Sequence, residues 1–182
     1  MSATIPDADA PEEIVWQGRF VTAKRRGRWE YAGRARGIQA AVIVALDGEH
    51  VILVSQYRVP LGRMSLELPA GLVGDEEGQE SESIIDAARR ELEEETGYRA
   101  GRMEVVMTLY ASPGLLSESF TLLRATELQR VGEGGGLPGE NITVHRVPLD
   151  GLRAEVDAWR REGGAVDVKV ALLLGRDLLQ ET

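Results

Sequence analysis

Glu91, Glu94 and Glu95 stand in the run Arg90-Glu91-Leu92-Glu93-Glu94-Glu95-Thr96-Gly97-Tyr98, so on a helix they fall at i, i+3 and i+4. Carboxylates at that spacing converge and can hold one or two hard cations, which suits magnesium-assisted chemistry on a phosphate. The competing reading is a solvated acidic helix face. A rotation of about 100° per residue puts Ile84, Ile85, Ala88 and Leu92 on one apolar stripe. Glu93 points away from it, whereas Glu91 and Glu95 lie on its edge beside Ile84 and Ala88. Like charges four apart cost a helix about 0.2–0.5 kcal/mol, and partial burial costs more unless something positive intervenes. A divalent cation would remove both penalties. Arg90 and Glu94 form an i, i+4 pair in the weaker order, Arg first, and explain little.

The elements that must position this helix are legible from periodicity and breakers. Residues 1–12 read as a loose tail and Ile14–Thr22 as a first strand. Lys24–Arg28 reads as a hairpin turn, with Trp29-Glu30-Tyr31 opening the next strand. The basic tip has two readings, a solvated turn or a phosphate contact. Gln39–Leu46 and Val51–Tyr57 are strong strand signals around the turn Asp47-Gly48-Glu49-His50. Glu67-Leu68-Pro69-Ala70-Gly71 ends a short strand, and Gly71–Glu82 reads as a loop feeding the helix that Gly97 terminates. Met103–Ala111, Ser119–Ala125 and Ile142–Val147 read as further strands, the last preceded by the glycine-rich loop Val131–Glu140. Leu149–Glu162 and Val166–Leu179 read as helices. Mixed β and α with a central helix and late helices imply an α/β/α sandwich.

The 182-residue chain is 43% apolar, enough for one core with a small appendage. Its net charge of −9 disfavours a nucleic-acid binder, because phosphate backbones are held by clustered Lys and Arg. The absence of cysteine excludes disulfides, thiolate metal sites and a thiol nucleophile. Met1–Glu13 lacks the basic and apolar regions of a signal peptide, and runs such as Ala40–Leu46 are too short for a bilayer. A cytoplasmic protein without membrane association is expected.

Other motifs are weak. Gly134, Gly136 and Gly139 match GxGxxG, but a strand follows where a dinucleotide site needs a helix. There is no P-loop and no serine-hydrolase elbow. His50 and His145 show no metal-ligand spacing and are expected to be ordinary residues.

Glu82, seven residues, then Arg90-Glu91-Leu92-Glu93-Glu94-Glu95-Thr96-Gly97-Tyr98 resembles the Nudix box, GX5EX7REUXEEXGU. The departure is the leading glycine. Strict counting places it at Glu76, whereas Leu68-Pro69-Ala70-Gly71 resembles the box entry and places it at Gly71, with five extra residues around Gly74–Glu80. Trp29-Glu30, Gln56-Tyr57-Arg58, Glu67–Gly71 and Ser112-Pro113-Gly114 resemble the ADP-ribose pyrophosphatase-like branch, with Pro113 lying 15 residues past Tyr98.

The resemblance implies a Nudix-type α/β/α sandwich over 37–182 with a mixed central sheet. Residues 1–36 would form a tail and small β-subdomain that pairs with a second subunit in a homodimer and completes its nucleotide pocket. The implied reaction is Mg²⁺-dependent cleavage of ADP-ribose to AMP and ribose 5-phosphate, with Mn²⁺ able to substitute. GDP-mannose or another nucleoside diphosphate sugar is the alternative substrate, and a non-catalytic nucleotide sensor the alternative class. Survival of all three box carboxylates favours catalysis.

By the same resemblance, Glu91 and Glu95 bridge the metals, Glu94 supports a second cation or its water, and the Ala70 carbonyl adds a ligand. Arg90 positions the glutamates. The general base is expected at Glu140, at the end of a Gly132–Gly139 loop able to close over substrate, with Glu118 second and Glu67 third. Arg58 and Arg34 are expected to contact phosphate or ribose, since Arg suits bidentate binding. Trp29 would stack on adenine, with Phe20 a weaker candidate, and Pro113 and Gly114 would line the substrate site.

Overall fold

The computed structural model describes residues 5–74 and 81–175. Three antiparallel strands, β1 (Glu12–Gln17), β2 (Val21–Arg26) and β3 (Trp29–Arg34), form a small N-terminal sheet. A larger mixed sheet follows. It contains β4 (Ala40–Asp47), β5 (His50–Arg58), β6 (Arg63–Glu67), β7 (Ala70–Leu72), β8 (Tyr98–Tyr110), β9 (Ser119–Arg130), β10 (Thr143–Pro148) and β11 (Ala165–Val166). Its main order is β11-β6-β5-β4-β9-β8, with β10 paired to β5 and β7 to β4. The β4–β9 and β11–β6 pairs are parallel, the others antiparallel. Helix α1 (Ile84–Thr96) lies on one face, and α2 (Leu152–Arg161) with the short α3 (Val168–Ala171) on the other. The expected sandwich is therefore present.

Strand β4 reads as an unbroken apolar run because both its faces are covered. Ala41, Ile43 and Ala45 pack with Ile52, Leu123, Ala88 and Leu92 beneath α1. Ala40 and Val42 pack with Leu53, Leu66, Leu152, Val156 and Val170 on the other side. Helix α1 starts where the Ser83 hydroxyl accepts the Asp86 N–H, and stops at Gly97, whose φ of +72° favours glycine. Leu92 is fully buried and anchors the acidic helix to the sheet, worth about 2 kcal/mol of apolar burial.

Several boundaries differ from expectation. The expected first strand, 14–22, is divided: Gly18 N–H bonds the Val21 carbonyl, and the Trp16 ring lies against Gly18 where a side chain would collide. Lys24, Arg25 and Arg26 belong to β2, and the turn is confined to Gly27 and Arg28. The charges looked like a turn, yet Lys24 and Arg26 pair with Glu12, Arg25 with Glu13, and Arg28 with Asp7. These pairs join the basic tip to β1 and to Asp7. Leu72 and Ala70 pair with Ala40 and Val42, so the expected loop opens with strand β7; the rest of the supposed insertion, at 75–80, lies outside the described residues. The expected helix 166–179 yields to a β11 pairing of Val166 with Leu66 and a cap in which Asp167 accepts the Lys169 N–H, leaving helix only at 168–171; 176–179 lie outside the described residues. Among the described residues no helix is long and apolar enough to cross a membrane.

Leu92→Ala is expected to cost about 2–5 kcal/mol, since the cavity lies between α1 and a strand that cannot collapse onto it. Urea unfolding should show a lower midpoint at unchanged slope.

Candidate active site

A cavity of about 430 Å³ opens between the carboxylate edge of α1, the turn into β7, the ends of β3 and β5, and the start of α3. Its lining brings together Ala70, Arg90, Glu91, Glu94, Glu95, Glu140, Glu118, Arg34, Arg58 and Glu67. Residues from six chain segments thus converge. Two polar lining residues, Gln56 and Lys169, were not singled out as contacts.

The Arg90 guanidinium organises the acidic edge. It donates to Glu82 at 3.1 and 3.2 Å, to Glu91 at 2.9 Å and to Glu94 at 3.3 Å, and its Nη2 reaches the Leu72 carbonyl at 3.4 Å. Its pKa is raised, chiefly by the hydrogen bond to Glu82 and then by the Glu91 charge. Glu95 instead accepts the Ala70 N–H at 3.0 Å. Burial pushes the Glu95 carboxyl up to about 8; the Ala70 N–H opposes this and the Glu91 and Glu140 charges add to it. Gly71 touches the Glu91 side chain so closely that any Cβ would occupy the carboxylate's place. A side chain at 71 would therefore have to displace the Glu91 carboxylate, while Glu76 lies outside the described residues.

The cations of the cavity are all engaged. Arg58 makes a bidentate pair with buried Glu67, 2.8 Å at Nε and 2.8 Å at Nη2, and its pKa is raised primarily by that bond. Arg34 donates to Glu118 at 2.6 Å, so an expected substrate contact and a candidate base hold each other. Lys169 pairs with Asp167 at 2.7 Å and lies 5.7 Å from the Phe120 ring centre. Nothing in the sequence pointed to Lys169, because it reaches the cavity only through the β11–β6 pairing that places the start of α3. Gln56 lay within a quoted motif, but its role depends on a loop 84 residues away.

That loop runs from Val131 to Glu140. Gly135 N–H bonds the Glu95 carbonyl at 2.8 Å and Gly136 N–H the Glu94 carbonyl at 3.1 Å, so the loop caps the C-terminal turn of α1. A Cβ at Gly134 would meet the Thr96 carbonyl carbon at 2.5 Å and the Glu95 oxygen at 2.7 Å, and its φ is +72°. These glycines answer to close backbone packing. Glu140 follows, its carboxylate accepting the Leu137 N–H at 2.7 Å.

Trp29, Pro113 and Gly114 lie elsewhere. With Glu12, Arg26, Tyr31, Leu116 and Ser117 they line a second depression of about 440 Å³ that shares no lining residue with the first. Phe20 is exposed beneath Arg19, 4.9 Å from the ring centre. His145 meets the buried Ser55 hydroxyl at 2.8 Å and the Trp159 edge, and His50 begins β5; neither lines the acidic cavity.

Among the described residues no three acidic or His side chains are arranged as a ready metal cage. Glu91 and Glu94 are turned to Arg90, and Glu95 to Ala70. The donor chemistry nevertheless fits a hard divalent cation. Six carboxylates face four cationic side chains around the cavity, and burial, with the Glu91 and Glu140 charges adding to it, pushes the Glu95 carboxyl up, a penalty that a bound cation would relieve. Glu91, Glu94 and Glu95 would hold such an ion.

The chain matches the family described as NUDIX domain over residues 36–164. It is 41% identical over 111 residues to an ADP-ribose pyrophosphatase of Bacillus subtilis, covering 60% of this chain and 57% of the relative. It is 36% identical over 149 residues to a GDP-mannose pyrophosphatase of Cronobacter sakazakii, covering 76% and 72%. A crystal structure described as an ADP compounds hydrolase shares the fold with a TM-score of 0.67 at 24% identity, covering 92% of this chain and 91% of that one.

The raised Glu95 carboxyl has a stability signature. Its pKa lies above the unfolded 4.5, so the metal-free fold is favoured below about pH 4.5 and loses that contribution as pH rises towards 8. In chelator, Glu95→Gln should raise the melting temperature relative to wild type at pH 8 by roughly 5–10 °C and leave it nearly unchanged at pH 5. Parallel profiles of the two proteins across that window would show that Glu95 is ordinarily ionised.

Proposed function

This chain belongs to the Nudix hydrolase family as a hydrolase of the pyrophosphatase type, and from that premise we propose that it cleaves ADP-ribose to AMP and ribose 5-phosphate with Mg²⁺. The observation that carries the reading is the cavity itself, about 430 Å³ in volume, which the box carboxylates of α1 line together with Arg34 and Arg58. The likeness to an ADP-ribose pyrophosphatase supports the choice of sugar nucleotide.

A diphosphate resists water because its charged oxygens repel a nucleophile. Mg²⁺, held by Glu91, Glu94 and Glu95 with the Ala70 carbonyl, would neutralise those oxygens and acidify water, and Mn²⁺ can do the same. The chain's own side chains do the rest. Arg58 commits Nε and Nη2 to Glu67 and Arg34 commits Nε to Glu118, which leaves Arg58 Nη1 and the Arg34 Nη groups to donate to phosphate oxygens. Glu140 takes the proton of the attacking water as the water oxygen bonds to one phosphorus. The bridging P–O bond breaks and its oxygen leaves with the other phosphate. Glu118, held by Arg34, is the second candidate for that base, and Arg90 orients Glu91 and Glu94.

The nucleoside end of the substrate is assigned to a second copy of the chain. Trp29, Pro113 and Gly114 line a depression apart from the carboxylates, and among the described residues the one aromatic lining the acidic cavity, Phe120, is buried with Lys169 by its ring and offers little face to adenine. Trp16, Phe20 and Trp29 on the 1–36 unit, and Val105, Val106, Met107 and Tyr110 on β8, are exposed apolar residues suited to burial in a homodimer. The Nudix unit would then span 37–182.

GDP-mannose is the second reading, favoured by the Cronobacter relative. A substrate panel with product identification separates them: ADP-ribose should turn over faster and yield AMP, and the reverse ranking would select GDP-mannose. Glu95→Gln should lower kcat by about 10²–10³-fold with the fold intact; a magnesium-dependent rate left unchanged would remove Glu95 from the site.

For the assembly, light scattering should return about twice the 19.9 kDa chain mass. Trp29→Ala should raise KM about tenfold with little change in kcat, as loss of one base–aromatic stack predicts. A monomeric, fully active protein would rule out the shared pocket.

A further inference from the structure

Gln56 sits on β5 two residues before Arg58, facing the cavity, and its side-chain N–H donates to the Glu140 backbone carbonyl at 3.2 Å. On the opposite side the same loop is tied to α1, by Gly135 N–H on the Glu95 carbonyl and Gly136 N–H on the Glu94 carbonyl. Between these ties the loop closes on itself. Ile142 N–H bonds the Gly135 carbonyl at 3.2 Å, Glu140 N–H the Leu137 carbonyl at 3.0 Å, and the Glu140 carboxylate accepts the Leu137 N–H at 2.7 Å. The carboxylate also lies directly on Gly136, where a Cβ would collide with it.

We infer that Gln56 is a positioning residue for Glu140: it forms the β5 side of a clamp whose other side is the backbone of the metal-box helix. The inference rests on the assignment of Glu140 as base and adds how that base is placed. The α1 ties pass through the carbonyls of Glu94 and Glu95, whose side chains face the cavity, so base and carboxylates share one rigid reference. Those ties fix one end of the loop only. Without the second, the 137–140 turn can pivot about Gly136, just before it, and Gly139, within it, whose φ values are +74° and +100°. Gln56 has the reach to supply the second tie because Gln56 and Ser65 are register partners, which keeps this stretch of β5 inside the sheet. The ion pair beside it, Arg58 with Glu67, ties the same strand end to β6.

Gln56→Met, which keeps length but cannot donate, is predicted to lower kcat about tenfold while KM for ADP-ribose and the melting temperature stay near wild type. Gln56→Ala should behave alike, so that a volume effect peculiar to Met is not mistaken for the clamp. Glu140→Gln, which retains an acceptor for Leu137, supplies the background. If Gln56 acts through Glu140, the double variant Gln56→Met/Glu140→Gln should be no slower than Glu140→Gln alone. A further tenfold loss in that background, or a kcat unchanged by both Gln56 variants while Glu140→Gln is impaired, would overturn the inference. So would a Glu140→Gln protein of full activity. In that case a loss in Glu95→Gln would mean that the hydrolase reading stands and only the base is misplaced, whereas full activity of Glu95→Gln too would fail the functional reading itself.

Discussion

One guanidinium permits the acidic edge of this protein. Arg90 stands between Glu82, Glu91 and Glu94, with a further bond to the Leu72 carbonyl. Without it, carboxylates beside the apolar stripe of α1 would repel each other at the margin of a core that buries Leu92 and Ala88 completely. Arg90 also joins the helix to β7 and thereby to β4, so the element bearing the carboxylates and the strand bearing Ala70 move together. Glu95 is the exception. It leans on a backbone N–H in place of a direct cation partner, and burial outweighs that bond and pushes its carboxyl up to about 8.

The second constraint is backbone proximity. Gly71 lets Glu91 cross the turn, and Gly97 and Gly134 let the helix end and the following loop touch main chain to main chain. At such contacts a methyl group would displace the very carboxylates and carbonyls that define the cavity. Glycine here provides room, and the loop from Val131 to Glu140 is shaped by what it packs on.

Charge is partitioned with similar economy. Each cation around the cavity already faces an acid: Arg34 faces Glu118, Arg58 faces Glu67, and Lys169 faces Asp167. An incoming diphosphate therefore shares donors that are held in place beforehand, which lowers the ordering cost of binding. The N-terminal sheet touches this system through Arg34 and through the pairing of Ala32 with Leu116 in the loop that carries Pro113 and Gly114. The small sheet, the apolar surface of β8 and the second depression thus lie along one continuous structural route to Glu118.

By itself the sequence determined the helix, its stop at Gly97, the carboxylate spacing, the strands β4 and β5 and the sandwich class. These are local periodicities and breakers, written in neighbouring residues. It misjudged β1 and β2, because strands exposed on a small sheet lack the apolar alternation that marks buried ones, and ion pairs with Glu12 and Glu13 hide charge that looked like a turn. The tertiary structure alone decided that Arg34 meets Glu118, that Arg58 meets Glu67, that Lys169 enters the cavity and that Gln56 reaches Glu140. Most of these contacts join residues far apart in the chain, and their geometry is fixed by sheet register and by backbone approach at glycines. No short window of sequence records those distances.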